Sequence, residues 1–333
     1  MSEAALKIGL VLGAGGVTGG AFHAGVLAAL HQAAGWDARR AAIIVGTSAG
    51  SIAGTTLRAG LSPTDMLARA EGRPLSANGA RLMRRVGSPA AIPPLREAPK
   101  SRRPAEMASI LGRAVARPFA AAPWALLAGL LPDGTVSTGM ISSAIGGLFS
   151  ERWPTDPLWL CAVHQSDGKR VVFGRDGLLP PLPSAVAASC AIPGFFAPVT
   201  IDGEHYVDGG LHSPTNADLL ADAGVDLVIV SSPMSITGNR LRLGADQPVR
   251  RWSGALLDTE ALRLRRRRIP VVAFQPTPDD AAVMGANALD PRRRAAVARA
   301  IYESTLHRLQ RADMQSRLAA LAFAPPGCES RRS

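Results

Sequence analysis

Cysteine is scarce in this chain, and its three copies, Cys161, Cys190 and Cys328, are scattered with no Cys-x-x-Cys spacing. That argues against a disulfide frame and a cysteine-based zinc site, and predicts reduced thiols in a cytosolic setting. Aromatic residues reach only 5%, too few for the platforms on which nucleic-acid binders stack successive bases. No run approaches the ~20 apolar residues that span a bilayer. The opening stretch, Met1 to Lys7, has no basic segment leading into an apolar one, so no secretory signal is expected. Acidic residues are outnumbered, with 26 Asp and Glu against 37 Lys and Arg, for a net charge of +11. On charge alone that excess fits nucleic acid, an anionic membrane surface or a merely arginine-rich composition. The shortage of aromatics leaves no case for a specific nucleic-acid partner.

What is present is enough for a large core. The 333 residues are 47% hydrophobic and 19% charged, which excludes wholesale disorder and allows one large α/β domain or two smaller ones. The chain is organised around Ile43-Ile44-Val45-Gly46-Thr47-Ser48-Ala49-Gly50. Three branched apolar residues read as a buried strand, and an alanine-rich run to Ala59 reads as a helix. Between them Gly-x-Ser-x-Gly places Ser48 at the apex of a strand-to-helix turn, a nucleophile elbow. Gly46 and Gly50 fit where strand and helix backbones come too close for a Cβ. A helix N-terminus at Ser48 also favours developing negative charge. Taken alone, the motif is equally a helix-capping serine between turn glycines.

A strand over Leu6–Leu12 runs into Gly13-Ala14-Gly15-Gly16-Val17-Thr18-Gly19-Gly20, and a helix is expected from Ala21 to Ala34. Three chemistries compete for the glycine loop. A dinucleotide fingerprint puts a third glycine where Thr18 stands and an acidic residue at the end of the next strand, which here is Val45-Gly46. A phosphate-cradling loop ends in Gly-Lys-Ser/Thr, but Gly20 is followed by Ala21. An oxyanion hole needs only successive N–H groups at the end of one strand beside a serine at the end of its neighbour. Only the last uses both motifs.

Beyond Gly60, Ser62-Pro63 starts a helix to about Arg69. Residues 72 to 135 change composition: rich in Pro, Arg and Ala, they hold the apolar stretch Phe119 to Leu131 behind Arg102, Arg103, Arg113 and Arg117. They read equally as a basic, greasy cap for a lipid interface or as a helical hairpin buried on the core. Strands at 158–163 and 170–173 join through Asp167-Gly168, and those at 199–201 and 205–207 through Asp202-Gly203. The second hairpin delivers Asp208-Gly209-Gly210, by itself an ordinary turn. Helices are expected over 140–149, 184–191, 216–223, 250–268 and from Asp290-Pro291 to about Leu321, with strands at 227–230 and 271–274. A frayed tail is expected over 325–333. The arginine clusters at 263–268 and 292–294 read first as solvated helix faces and second as contacts for anionic headgroups. His23, His212 and His307 have no loop placement suited to a triad, and His23 reads as a helix-surface residue near the glycine loop.

The set of motifs resembles the patatin-like phospholipase family: Gly13 to Gly20 leading to Ala24-Gly25-Val26-Leu27, then Gly46 to Gly50, Ala191 to Val199, and Asp208-Gly209-Gly210. The resemblance covers roughly Lys7 to Ile229 apart from the cap. It implies a three-layer α/β/α sandwich around a mainly parallel sheet, as a single domain over 1–324, and hydrolysis of lipid acyl esters by a Ser–Asp dyad. It assigns Ser48 as nucleophile, Asp208 as its partner, and the loop Gly13, Ala14, Gly15 and Gly16 as the oxyanion hole, with the N–H groups of Gly15 and Gly16 as the foremost donors and Gly46, Gly50, Gly209 and Gly210 in support. No metal or cofactor is implied. The partner is a lipid or ester substrate, with peripheral contact to an anionic membrane. One position departs: the family's loop usually carries an Arg or Lys, and this loop has Val17-Thr18. A neutral ester, or a catalytically weak lipid-binding protein, is the alternative that this departure raises.

Overall fold

The computed structural model describes residues 6–86, 133–149, 152–175, 177–237 and 246–311. Among them, eight strands form one sheet: β1 (Ile8–Leu12), β2 (Ile43–Thr47), β3 (Leu158–His164), β4 (Arg170–Phe173), β5 (Val199–Ile201), β6 (Glu204–Asp208), β7 (Leu227–Ser231) and β8 (Val271–Phe274). The order along the main path is β5-β6-β3-β2-β1-β7-β8, with β4 paired to β3. Strands β3, β2, β1, β7 and β8 are mutually parallel, and β4, β5 and β6 add antiparallel pairs at one end.

The central strands are apolar on both faces because both are covered. Leu10 and Leu12 of β1 and Ile229 of β7 face a core built with α1 (Gly16–Ala34), α2 (Ala49–Arg58), α3 (Pro63–Glu71), α6 (Leu182–Ser189) and α9 (Arg294–Leu309). Val11, Val228 and Val230 face the other way, onto Leu257, Ala261 and Leu264 of α7 (Gln247–Arg266). This is the expected three-layer α/β/α sandwich around a mainly parallel sheet. The remaining helices are α4 (Ala77–Val86), α5 (Gly139–Leu148) and α8 (Pro278–Met284).

Four boundaries differ from the sequence reading. Helix α1 starts at Gly16, inside the glycine loop rather than at Ala21. Its glycines are packing positions: a Cβ on Gly19 would press on Pro233, and one on Gly25 would meet the backbone of α9 at Ala298 and Tyr302. Tertiary contact overrides the poor helix propensity of glycine. The segment after Asn216 is only a 3-10 turn, Ala217–Leu220, because Asn216 itself sits at φ 55°. Helix α8 was not foreseen, although Thr277 and Asp280 form the reciprocal capping box that announces it. Helix α4 lies in the stretch assigned to the cap, yet Leu82 and Met83 pack on the main core. The rest of the expected cap, residues 87–132, lies outside the described residues, as do the tail and the final helix beyond Arg311.

Candidate active site

The site exists because two strands share one edge of β3. Strand β2 pairs with the first half of β3 and stops at Thr47, opposite Cys161. Strand β6 arrives antiparallel along the same edge and ends at Asp208, opposite Ala162. The backbone polarity proves the edge is shared: Pro157 and Gln165, both odd-numbered, bond to β2 and β6, whereas His164 bonds to Lys169 beside β4. The two strands therefore abut end to end, and the residue after one, Ser48, meets the last residue of the other, Asp208. Both are buried, at 4% and 5% exposure.

At that seam the ladder of β3 is interrupted, and a side chain repairs it. The Ser189 hydroxyl, at the end of α6, donates to the Cys161 carbonyl at 2.7 Å and accepts the Ser48 N–H at 3.0 Å. Two residues on, the Ala191 carbonyl accepts the Asp208 N–H at 2.9 Å. Gly209 crosses so near the Cys161 carbonyl that a Cβ would collide with it. The turn that follows is tied back to β2, since Asn216 donates its side-chain amide to the Thr47 hydroxyl at 3.1 Å.

Ser48 holds φ 54° and ψ −117°, a backbone conformation that costs a non-glycine residue ~1–3 kcal/mol and persists only when its surroundings enforce it. Here they do. A Cβ on Gly46 would lie 2.7 Å from the Ser51 Cα, and one on Gly50 would enter the Leu12 carbonyl, so the elbow is clamped between β1 and α2. The Ser48 carbonyl also accepts the Ser51 hydroxyl at 2.6 Å.

Burial pushes the Asp208 carboxyl up to about 6; the Ser48 side chain, acting as its hydrogen-bond partner, and the Gly210 N–H pull the other way. The Gly210 bond is 2.7 Å. A carboxylate so raised is a stronger base than an ordinary aspartate and is still ionised at neutral pH.

The sequence pattern described as patatin-like phospholipase matches residues 10–221, well over half of the chain. The chain belongs to the patatin-like phospholipase family. Uncharacterised NTE family proteins of Mycobacterium bovis and Mycobacterium tuberculosis are 35% identical to it over 92 residues, 28% of this chain and 24% of theirs. The chain thus spans about a quarter of the length of these curated relatives. Among solved structures, VipD from Legionella pneumophila aligns at 14% identity and a TM-score of 0.40, covering 92% of this chain and 66% of VipD. The type III effector protein ExoU aligns at 16% and 0.36, covering 94% and 53%. Human GIVD cytosolic phospholipase A2, in complex with methyl gamma-linolenyl fluorophosphonate, aligns at 12% and 0.34, covering 95% and 59%.

In this patatin-like chain the glycine loop divides by what each N–H already does. The Gly13 N–H donates to the Ser231 carbonyl at 3.0 Å and the Ala14 N–H to the Pro214 carbonyl at 2.8 Å. Those two, expected among the oxyanion donors, have their protons committed to holding the loop. The N–H groups of Gly15 and Gly16 have no acceptor among the described residues, and neither has that of Ala49, directly after Ser48. Ala49, outside the glycine loop, carries no mark in the sequence that its N–H is left free beside Ser48. Ser189 was missed because nothing marks which serine of a small-residue helix reaches the seam.

His23 corrects the surface reading. It is fully buried, with Nε2 2.8 Å from the Gly13 carbonyl and Nδ1 2.8 Å from the Ser231 hydroxyl. A carbonyl only accepts, so Nε2 carries the proton and the Ser231 hydroxyl donates to Nδ1. Burial holds this imidazole down at about 4, hence neutral, against the opposing Gly13 bond. It fixes the loop and does not reach Ser48. His212 and His307 are exposed and lie outside the cavity beside Ser48. Cys161 and Cys190 are free and buried, with thiols pushed up to about 12 by burial, so both stay protonated.

That cavity, of about 290 Å³, is lined by Ser48 and by residues of α1, α2 and α3, among them Ala24, Ala53 and Met66, together with Leu61. Its walls suit hydrocarbon. No helix among the described residues is long and apolar enough to cross a membrane, and no three of their His, Cys, Asp or Glu side chains gather to hold a metal ion.

Proposed function

We propose that this protein is a serine lipid acyl hydrolase of the phospholipase A or esterase type, working through Ser48 and Asp208. The observation that carries the reading is the seam on β3, which brings a strained, buried serine to a buried carboxylate without any histidine beside them. Asp208 takes the Ser48 proton as Oγ attacks the ester carbonyl. The resulting oxyanion lies among the N–H groups of Gly15, Gly16 and Ala49 at the joint N-termini of α1 and α2. Collapse expels the alcohol, which leaves with the proton from Asp208, and the acyl chain stays on Ser48 along the apolar cavity. Water, deprotonated by Asp208, then releases the fatty acid. This cycle calls for no cofactor. The net positive charge favours peripheral contact with an anionic membrane.

Turnover of a short-chain p-nitrophenyl ester, lost in both Ser48→Ala and Asp208→Asn, is the expected result, with a fluorophosphonate labelling Ser48 in the wild type. Full activity in either variant overturns the dyad. A folded wild type that neither turns over ester nor takes the label leaves only the lipid-binding alternative.

A further inference from the structure

The loop places Val17 and Thr18 where a cation was expected, but the cavity is not without charge. Among the described residues lining it, two are charged, and both are arginines: Arg69, half-buried in the last turn of α3, and Arg294, exposed at the first turn of α9. The surrounding rim makes them stand out. Glu71 is held by Arg73 and, at 3.3 Å, by Arg299. Asp290 is held by Arg292 at 2.9 Å and by Arg293 at 3.7 Å. Both of these carboxylates are thus already engaged by other arginines, whereas neither Arg69 nor Arg294 has an ion-pair or hydrogen-bond acceptor among the described residues. Burial, and then the like charge of Arg294, lower the Arg69 pKa. Two unneutralised guanidinium groups at one apolar wall repel each other, and an anion between them reverses the sign of that interaction.

We infer that Arg69 and Arg294 form an anion-recognition pair in the nucleophile's own cavity, selecting acyl esters that carry a phosphate or carboxylate. The inference rests on the hydrolase reading and specifies its substrate class. The apolar wall takes the chain, and the planar forks of the two arginines take the anionic oxygens, a geometry lysine does not reproduce. The positive charge absent from the loop is supplied instead by two helices far apart in sequence.

The test uses matched substrates differing in one anionic group: a monoacylglycerol against its monoacylglycerol phosphate, and the p-nitrophenyl ester of a fatty acid against that of a dicarboxylic acid of equal length. In Arg69→Gln and Arg294→Gln, kcat/KM on the anionic member is expected to fall about tenfold, the loss of one charge-assisted hydrogen bond, with the neutral member changed less than about twofold. Arg294 is exposed, so its variant folds; Arg69→Lys, which keeps the charge and loses the fork, gives a second reading at the buried site. Loss confined to the phosphate pair assigns the anion to the headgroup, and loss confined to the dicarboxylic pair assigns it to the acyl end. Inorganic phosphate inhibiting the wild type but not the double variant supports the pair as well. Equal losses on neutral and anionic members, or no loss on either, overturn the inference. Should wild type and Ser48→Ala prove equally inactive, the dyad fails, while calorimetric binding of the same lipid pair still decides whether the arginines discriminate.

Discussion

Replacing Asp208 by Asn is expected to abolish activity and at the same time make the protein more stable at neutral and alkaline pH. The folded carboxyl sits at about 6 against an ordinary 3.8. At 1.36 kcal/mol per pH unit, that difference is about 3 kcal/mol. The sign follows from proton counting. Between pH 4 and 6 the folded chain holds a proton on Asp208 that the unfolded chain has released, so stability falls as pH rises through this window. Below it both states are neutral at this site, and above it the folded state carries the full cost of a buried carboxylate. Asn is isosteric with the protonated acid, and its carbonyl can still accept the Gly210 N–H. Urea unfolding of the two proteins at pH 8 should therefore separate them by up to about 3 kcal/mol in favour of the variant, and at pH 4 by almost nothing. Taking the difference between the proteins matters, because His23 titrates in the opposite sense and cancels only in the comparison. A variant that is equally or less stable at pH 8, or a gap that does not close on acidification, would refute the account of Asp208 as a carboxylate held in strain by burial.

The same carboxyl should set the acid limb of ester hydrolysis, with kcat/KM dropping below pH about 6; a limb near pH 4 would show a solvated base. Ser189→Ala should leave the Cys161 carbonyl and the Ser48 N–H unpaired, costing about 1–3 kcal/mol in urea unfolding, and should slow fluorophosphonate labelling of Ser48; unchanged labelling would remove Ser189 from the elbow. Gly50→Ala should fail to give folded protein, since its methyl would enter the Leu12 carbonyl, and a cooperative melt at the wild-type temperature would refute the tight packing of β1 on α2. With a folded pKa near 4, His23 binds its proton in the unfolded chain first, so between pH 6.5 and pH 4 the wild type should lose about 3 kcal/mol relative to His23→Leu, a comparison in which the opposite contribution of Asp208 cancels; a gap that stays constant with pH would refute the buried neutral imidazole.

Much of this architecture was legible because it rests on local pattern. The branched run before Gly46, the glycines around Ser48, and the Asp202-Gly203 hairpin ahead of Asp208 each carry a signal within a few residues, and together they pointed to the two side chains that meet at the seam. What stayed hidden depends on contacts between distant segments. His23 looks like any helix residue until Gly13 and Ser231 bind its two nitrogens. Gly15 and Gly16 could be singled out from the motif, but that Gly13 and Ala14 spend their protons on Ser231 and Pro214 could not. Arg69 and Arg294 lie in unrelated helices, and no spacing rule links them. Helix α8 is the exception, since its capping box stood in the sequence unread.

The junction of β2 and β6 on β3 also bears on how this scaffold can vary. Because β3 is the strand on which both β2 and β6 are registered, the distance from Ser48 to Asp208 is insulated from the length of the chain between Arg58 and Leu158. A one-residue slip of β6 along β3, by contrast, would turn Asp208 to the opposite face of the sheet. Diversity in what enters the cavity and constancy in what happens at its floor are thereby assigned to different parts of the polypeptide.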